Sequence, residues 1–313
     1  MHAGSRDDTL EICGASYKKL PMYLNRPLIK ILEDMGALPS AFIALQERAI
    51  HTLKYITTHP INAARFLEHN MIGLAARVPR LIRLMTKMGI NFRDDKFLRD
   101  VVELAALVQV RDLKHRARIP IENGVTLYGT VDETGLLKER EVYVPTRDID
   151  GKRKVLLGPC LVTRSPALHP GDVQLVEAIN VPESSSLNQL HNCVVFSQHG
   201  SRDLPSMLSG GDLDGDLYNV IFEESIWPKK QFEPADYPRT EAIDIGCAVE
   251  VADMTDFFLK FMESDKLGFI ANTHLQIADH KPEGALHPDC LLLAEMASTA
   301  VDFSKTGVPV SSK

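Results

Sequence analysis

An α+β chain is what this sequence predicts: a helical N-terminal region, a small closed β-barrel in the middle, and helices at the C-terminal end. Three observations lead there. Apolar residues recur at helical spacing through the first ~110 residues. Six or seven short β-rich runs then follow between residues 118 and 222 without intervening helices, which is the pattern of a small barrel. Beyond Trp227 two helical stretches return.

Within the helical region (residues 1–110), Asn25 is placed to cap a helix carrying Leu28, Ile29, Ile31 and Leu32, with Pro27 in its first turn. Ser40 is the expected cap of a second, with Phe42, Ile43, Leu45 and Ile50 as its apolar positions. Asn62 begins a third, and Asp94 or Asp95 precedes a long periodic segment running to about Val110. Arg77, Arg80, Arg83 and Lys87 fall on one helical face, either a solvated stripe or a phosphate-facing edge. The predicted strands of the barrel region (111–225) are Arg118–Ile121, Val125–Val131, Glu141–Val144, Val155–Arg164, Asp172–Asn180, Asn192–Ser197 and Leu217–Phe222. Val181–Asn188 and Gly200–Ser209 read as loops. The last region (226–313) opens on a connector with Pro228, Pro234 and Pro238, followed by helices over Thr255–Asp279 and Pro288–Phe303.

Composition is that of an ordinary globular protein, with 44% apolar and 25% charged residues. No apolar run is long enough for a membrane helix, and the first eight residues carry no signal-peptide pattern. The five cysteines, Cys13, Cys160, Cys193, Cys247 and Cys290, are scattered and never form a C-x-x-C pair. They predict reduced thiols in an intracellular protein, nuclear or cytoplasmic, and no zinc site. The net charge of −7 divides into +6 over residues 1–160 and −13 over 161–313. A basic half keeps nucleic-acid binding open despite the acidic total.

The chemistry concentrates in Ser209-Gly-Gly-Asp-Leu-Asp-Gly-Asp-Leu-Tyr218. Three carboxylates at alternate positions, Asp212, Asp214 and Asp216, repel one another, and a divalent cation is the usual compensation. Gly210, Gly211 and Gly215 let the backbone turn tightly and approach a ligand, and an apolar strand follows. An EF-hand loop fails because Leu217 stands at the glycine position and a strand replaces the second helix. A D-x-D phosphatase nucleophile fails because the buried strand lies after the aspartates. An acidic surface turn is the bland reading, and the Gly-Gly pair with the following strand weighs against it. Metal-assisted phosphoryl transfer fits best, in which two Mg2+ ions ~3.5–4 Å apart serve the attacking hydroxyl and the leaving pyrophosphate.

Six segments in order carry a resemblance: Pro21–Asp34, Gly129–Leu136, Leu161-Val-Thr-Arg-Ser-Pro-Ala-Leu-His-Pro-Gly-Asp172, Ser209–Asp216, Leu267–Leu275 and Ala300-Val-Asp-Phe-Ser-Lys-Thr-Gly307. Together they resemble the cellular RNA-dependent RNA polymerases of eukaryotic RNA silencing, from about Leu20 to Pro309. The resemblance implies a double-psi β-barrel carrying the D-x-D-G-D loop, and distant kinship with the largest subunit of DNA-directed RNA polymerases. It implies Mg2+ or Mn2+ on Asp212, Asp214 and Asp216 as catalytic and metal-binding residues, with single-stranded RNA template and ribonucleoside triphosphates as substrates. Double-stranded RNA for silencing would be the product, silencing-pathway proteins would be partners, and no membrane is involved. Arg164 matches an arginine that lies near the ribose of the incoming nucleotide in the kin enzymes; a structural ion pair is its plain alternative. Lys305 either faces the reaction centre or caps the last helix, and Gly211 completes the expected substrate-binding set. His169, before Pro170, reads as a buried turn histidine.

Two features depart from the family pattern. Ser304 stands where the family often has Pro. No strand-rich segment precedes residue 111, where the family carries a second, phosphate-binding barrel. The expectation is therefore a piece of a larger polymerase, inactive alone. The alternatives are an inactive RNA- or polymerase-binding remnant and a DNA-directed polymerase subunit, the latter disfavoured by Gly210-Gly211 in place of N-A.

Overall fold

The computed structural model describes residues 14–148, 151–237 and 241–310. Cys13, Pro238, and the first eight residues discussed above lie outside that set.

Strand β1 (Leu20–Tyr23) comes first, where the sequence predicted only helix. It is four residues long and includes Pro21, so it carries no readable alternation, and its partner β2 supplies the pairing. Helix α1 (Arg26–Asp34) starts as expected: the Asn25 side chain accepts a hydrogen bond from Leu28 N at 2.9 Å, and Pro27 needs no partner in the first turn. Helix α2 (Pro39–Ile56) begins at Leu38 rather than Ser40, which falls in the first turn. Pro39 sets the start there, because proline is favoured where the N–H is unpaired anyway. Helices α3 (Pro60–His69) and α4 (Val78–Lys87) follow the same rule, each with proline in its first turn. On α4, Arg83 pairs with Glu68. Asp95 caps α5 (Lys96–Arg116) through Leu98 N, and α5 continues past Val110 until Ala117 turns into the left-handed region.

Eight strands form the sheet. Six of them close on themselves in the order β2 (Pro120–Val131), β7 (Cys193–Phe196), β3 (Glu141–Arg147), β6 (Val173–Ala178), β5 (Gly158–Arg164) and β8 (Leu217–Ile221), with β8 pairing back onto β2. The β2–β7 and β3–β6 pairs are parallel and the other four antiparallel. Strand β1 adds to β2 and β4 (Arg153–Leu156) to β3, both outside the ring. Three predicted strands are redrawn. Arg118–Ile121 and Val125–Val131 are one strand, β2. Val155–Arg164 is two, divided at Gly158 with φ +104°.

Side-chain alternation explains why helices and barrel fold together. On β5 and β8, Val162 and Val220 point inward to a core with Val142, Val194, Phe196 and Tyr218. Leu161 and Ile221, one position earlier or later, point outward and join the core of the helical region with Leu32, Phe42 and Phe92.

The segment read as a loop before the aspartates contains a short helix, α6 (Leu204–Met207), capped by Asp203. The expected helix over Thr255–Asp279 is two, α7 (Val251–Ser264) and α8 (Leu267–His280), broken at Asp265 and Lys266. Helix α9 (Pro288–Thr306) packs on α8 and ends at Gly307 with φ +73°. Among the described residues no helix is long and apolar enough to cross a membrane, and Cys160, Cys193, Cys247 and Cys290 are free thiols.

Candidate active site

The aspartate loop joins α6 to β8 and is held from several sides. Ser209 and Leu213 adopt left-handed backbone (φ 53° and 62°), as do Gly210 and Gly215 (φ 69° and 123°). Such conformations cost non-glycine residues free energy and persist only where surrounding contacts enforce them. Those contacts are visible. Ser209 N donates to Asp172 Oδ1 at 3.1 Å, and Ser209 Oγ donates to the Pro166 carbonyl at 2.5 Å. The Ser209 carbonyl accepts from Arg164 Nη1 at 2.9 Å. Asp212 N donates to Asp216 Oδ2 at 3.1 Å, and Gly129 N donates to the Asp216 carbonyl at 3.1 Å.

Gly211 is buried, and its N–H is shared between the Pro205 and Leu208 carbonyls at 3.1 and 3.3 Å. A Cβ there would overlap Tyr218 Oη and lie 2.9 Å from the Pro205 carbonyl. Gly129 faces the same constraint, since a Cβ would overlap the Tyr218 ring and crowd Leu213. In each case the missing side chain lets the loop and Tyr218 sit against the barrel.

One carboxylate oxygen from each of Asp212, Asp214 and Asp216 lies within 4.8 Å of the other two. Two cations compensate them. Arg164 Nη2 is 2.7 Å from Asp216 Oδ1, with only 15% and 13% of the two side chains exposed. Lys305 Nζ, on the last turn of α9, is 2.7 Å from Asp212 Oδ2 and 2.9 Å from Asp214 Oδ2. Lys305 and Asp214 are about half exposed, at 54% and 55%. Burial pushes the Asp212 carboxyl upward, but hydrogen bonds from Lys305 and the Asp214 segment together with the Lys305 charge outweigh it and hold the group below its ordinary value. The same hydrogen bonds to Asp212 and Asp214 raise the Lys305 ammonium.

Sequence reasoning assigned no role to Asp172 and Asp302. Asp172 is fully buried. It accepts from Leu168 N and His169 N at 3.0 and 2.9 Å, from Ser209 N, and from Tyr237 Oη at 2.6 Å. Burial pushes it up to about 6 against these hydrogen bonds. One carboxylate thus joins the turn after β5, the start of the aspartate loop and the connector after the barrel. Its signal was the Leu-His-Pro-Gly-Asp run, in which His169 Nδ1 accepts from Gly171 N at 2.9 Å, as a turn histidine does. Asp302 lines the cavity beside Lys305, with its carboxyl raised by burial. That cavity, of about 220 Å3, is walled by Arg164, Ser209, Gly210, Asp214, Tyr237 and α9.

The donor set suits a hard divalent cation, which takes carboxylate oxygens and water. The sequence of the family described as "RNA dependent RNA polymerase" matches residues 2–313. The chain belongs to the RNA-dependent RNA polymerase family. It is 35% identical over 295 residues to RNA-dependent RNA polymerase 1 of Arabidopsis thaliana, covering 93% of this chain and 26% of that protein. It is 36% identical over 305 residues to the probable RNA-dependent RNA polymerase SHL2 of Oryza sativa, covering 92% and 24%. RNA-dependent RNA polymerase 1 of Schizosaccharomyces pombe is 32% identical over 311 residues, covering 91% and 25%. The chain therefore spans about a quarter of the length of these polymerases.

The fold comparison agrees. RNA dependent RNA polymerase QDE-1 from Thielavia terrestris superposes with a TM-score of 0.69 at 22% identity, over 96% of this chain and 37% of that one. The closed six-stranded mixed barrel with flanking helices is the barrel of this polymerase fold, and its two parallel pairs are consistent with a double-psi arrangement. The structure brings Arg164, Lys305, Gly211 and the three aspartates to one place, although Lys305 is 93 residues from Asp212 in sequence.

Proposed function

We propose that this chain carries the metal-binding catalytic centre of a template-directed RNA polymerase that copies single-stranded RNA into duplex RNA for silencing inside the cell. The observation that supports this most is the convergence of Asp212, Asp214 and Asp216 on a loop fixed from several sides in a polymerase-family barrel. Mg2+ or Mn2+ held by these carboxylates would supply Lewis-acid activation of a 3′-hydroxyl and charge neutralisation at pyrophosphate. Arg164 holds Asp216 in place through its ion pair and fixes the loop through the Ser209 carbonyl. From that position its guanidinium borders the cavity in which a ribose would lie. Lys305 keeps Asp212 and Asp214 close without a metal and would turn to substrate phosphate once a metal replaces it. Gly211 contributes by shape, admitting Tyr218 beneath the loop.

Asp214→Ala tests the assignment. Asp214 is 55% exposed and pairs with Lys305, so folding should be preserved. Mn2+ binding followed by electron paramagnetic resonance should be lost, as should templated incorporation of labelled ribonucleotide in the polymerase containing the chain. Normal incorporation by the variant would sink the assignment. RNA binding without synthesis by the wild type would favour the reading of an inactive RNA-binding relative.

A further inference from the structure

A second cavity, of about 650 Å3, is larger than the one beside the aspartates. It lies where the helical region meets the outer wall of the barrel, and its size is in the range of ligand sites. Its walls include Ser165 and Leu217, the residues that immediately follow Arg164 and Asp216. The Arg164–Asp216 ion pair thus neighbours both spaces, with the aspartate-side cavity touching Arg164 and the larger cleft touching the residue after each partner.

The cleft's lining sets two arginines, an aromatic ring and several hydroxyl and amide groups among apolar side chains. The stretch Arg111-Asp-Leu-Lys-His-Arg-Ala-Arg118 carries four arginines or lysines and one acid, of which Arg116, Arg118 and Asp112 line the cleft. Basic residues at a helix C-terminus commonly serve the helix dipole, which accounts for Lys114 and Arg116. It does not account for Arg118. Ala117 has already turned left-handed, and the Arg118 guanidinium lies 4.4 Å from the centre of the Tyr23 ring. Tyr23 is fixed in turn by β1 pairing and by its hydroxyl, which donates to Asn70. A guanidinium stacked on an aromatic ring is a planar platform on which a base can stack. Beside it, Arg116 is 67% exposed and opposed only at 3.6 Å by Asp112, leaving donors for phosphate. Across the cleft, Asn219 accepts from Thr126 Oγ1 at 2.7 Å, and both side chains line the wall with Ser165. Such hydroxyl and amide groups suit base edges and ribose hydroxyls.

We infer that this cleft binds a single-stranded RNA segment next to the aspartate loop, with Arg116 on phosphate and the Arg118–Tyr23 stack under a base. A free nucleoside triphosphate fits less well, because Asp112 is the only carboxylate on the walls and it is already paired, so nothing there would hold the accompanying metal. The inference rests on the polymerase reading for the identity of its ligand.

The test uses a fluorescein-labelled twelve-nucleotide RNA and this chain, with affinity read by anisotropy over a salt series. Arg116→Ala is expected to weaken binding and to flatten the salt dependence by about 0.7 in the log–log slope, the value for one phosphate contact on a single strand, whereas Arg118→Ala is expected to weaken binding through loss of the stack. Tyr23→Leu is expected to weaken binding about fivefold or more with the slope unchanged, since stacking carries no counterion release. Arg118→Lys keeps the charge without the planar stack and should bind as weakly as Arg118→Ala. Cross-linking of 4-thiouridine RNA should map to the peptides containing Tyr23 and Arg118. Arg116 is exposed, so its variant stays folded even if Arg118→Ala does not. Wild-type affinity and slope in Arg116→Ala and Tyr23→Leu, cross-links confined to other peptides, or no RNA binding at low salt would each overturn the inference. Loss of synthesis in Asp214→Ala reports on the metal centre separately, so the cleft can fail while the polymerase reading stands, and the reverse.

Discussion

Asp172→Asn is expected to remove a pH-dependent share of stability that wild type carries on its acid side. The Asp172 side chain has no exposed surface, and burial raises its carboxyl from 3.8 to about 6 even though three backbone N–H groups and the Tyr237 hydroxyl donate to it. The folded chain thus binds this proton more tightly than the unfolded chain, by about two pH units, or ~3 kcal/mol in all. The sign follows from linkage. The stabilisation is complete below 3.8 and is lost as pH rises through about 6. At pH 5 roughly 1 kcal/mol of it remains, and at pH 7.5 almost none. An asparagine does not titrate, so it lacks this slope. It also turns an NH2 toward donors that need an acceptor, a fixed cost of ~1–3 kcal/mol at any pH. His169 and His274, both held low by burial, titrate in the opposite sense, losing stability as pH falls, and are present in both proteins. Urea unfolding of wild type and variant at pH 5 and 7.5 isolates the term as a double difference. The gap between the two proteins should widen by ~1 kcal/mol at pH 5. Parallel pH profiles would show that Asp172 is not the buried, proton-retaining group described here.

Three further outcomes follow from the loop. Gly211→Ala forces a Cβ against Tyr218 Oη and the Pro205 carbonyl and is expected to cost ~1–3 kcal/mol, read as a fall in Tm; an unchanged Tm would show that the loop is slack. Lys305→Met removes the cation that occupies Asp212 and Asp214, so Mn2+ should bind several-fold more tightly, and weaker binding would mean that Lys305 supports the metal rather than competing with it. Arg164→Ala strips the largely buried Asp216 of its guanidinium and is expected to cost ~3 kcal/mol and weaken metal binding. In the polymerase containing the chain, its ribose selectivity should also fall, and retained selectivity would exclude a ribose contact.

What the sequence disclosed and what it hid have different physical causes. Asp212, Asp214 and Asp216 were legible because like charges at alternate positions are costly to hold together unless something compensates. Asn25 and Asp95 were legible because capping is a contact over three residues, Asn25 to Leu28 and Asp95 to Leu98. The strand β1 was hidden because its only reason to be extended is a partner a hundred residues away: Leu20 pairs with Thr126. Lys305 was only half legible, since a lysine near a helix end reads equally as a cap or as a group facing the reaction centre until α9 is seen to bring it against the aspartates. Helix α7 is a third kind of case: its run of Val, Met, Phe and Leu reads as core, yet none of its residues is buried in the described structure.

Asp172 shows the difficulty most directly. An aspartate after Pro-Gly has the signature of a surface turn, and residue type alone cannot distinguish it from the aspartates 40 or so residues later. Environment does. Asp212 faces Lys305 and is held low, ready to meet a cation; Asp172 is held by neutral donors in a buried site and is pushed up. The same functional group therefore does two unlike tasks in one loop, one as a charge offered outward and one as an acceptor fixing the backbone of Ser209 from below. The left-handed turns at Ser209, Gly210 and Leu213 are what bring the two tasks within reach of each other. They hold the loop open toward the cavity while its first residue stays tied to Asp172. A polymerase-family centre assembled in this way depends on its buried carboxylate for geometry and on its exposed ones for charge.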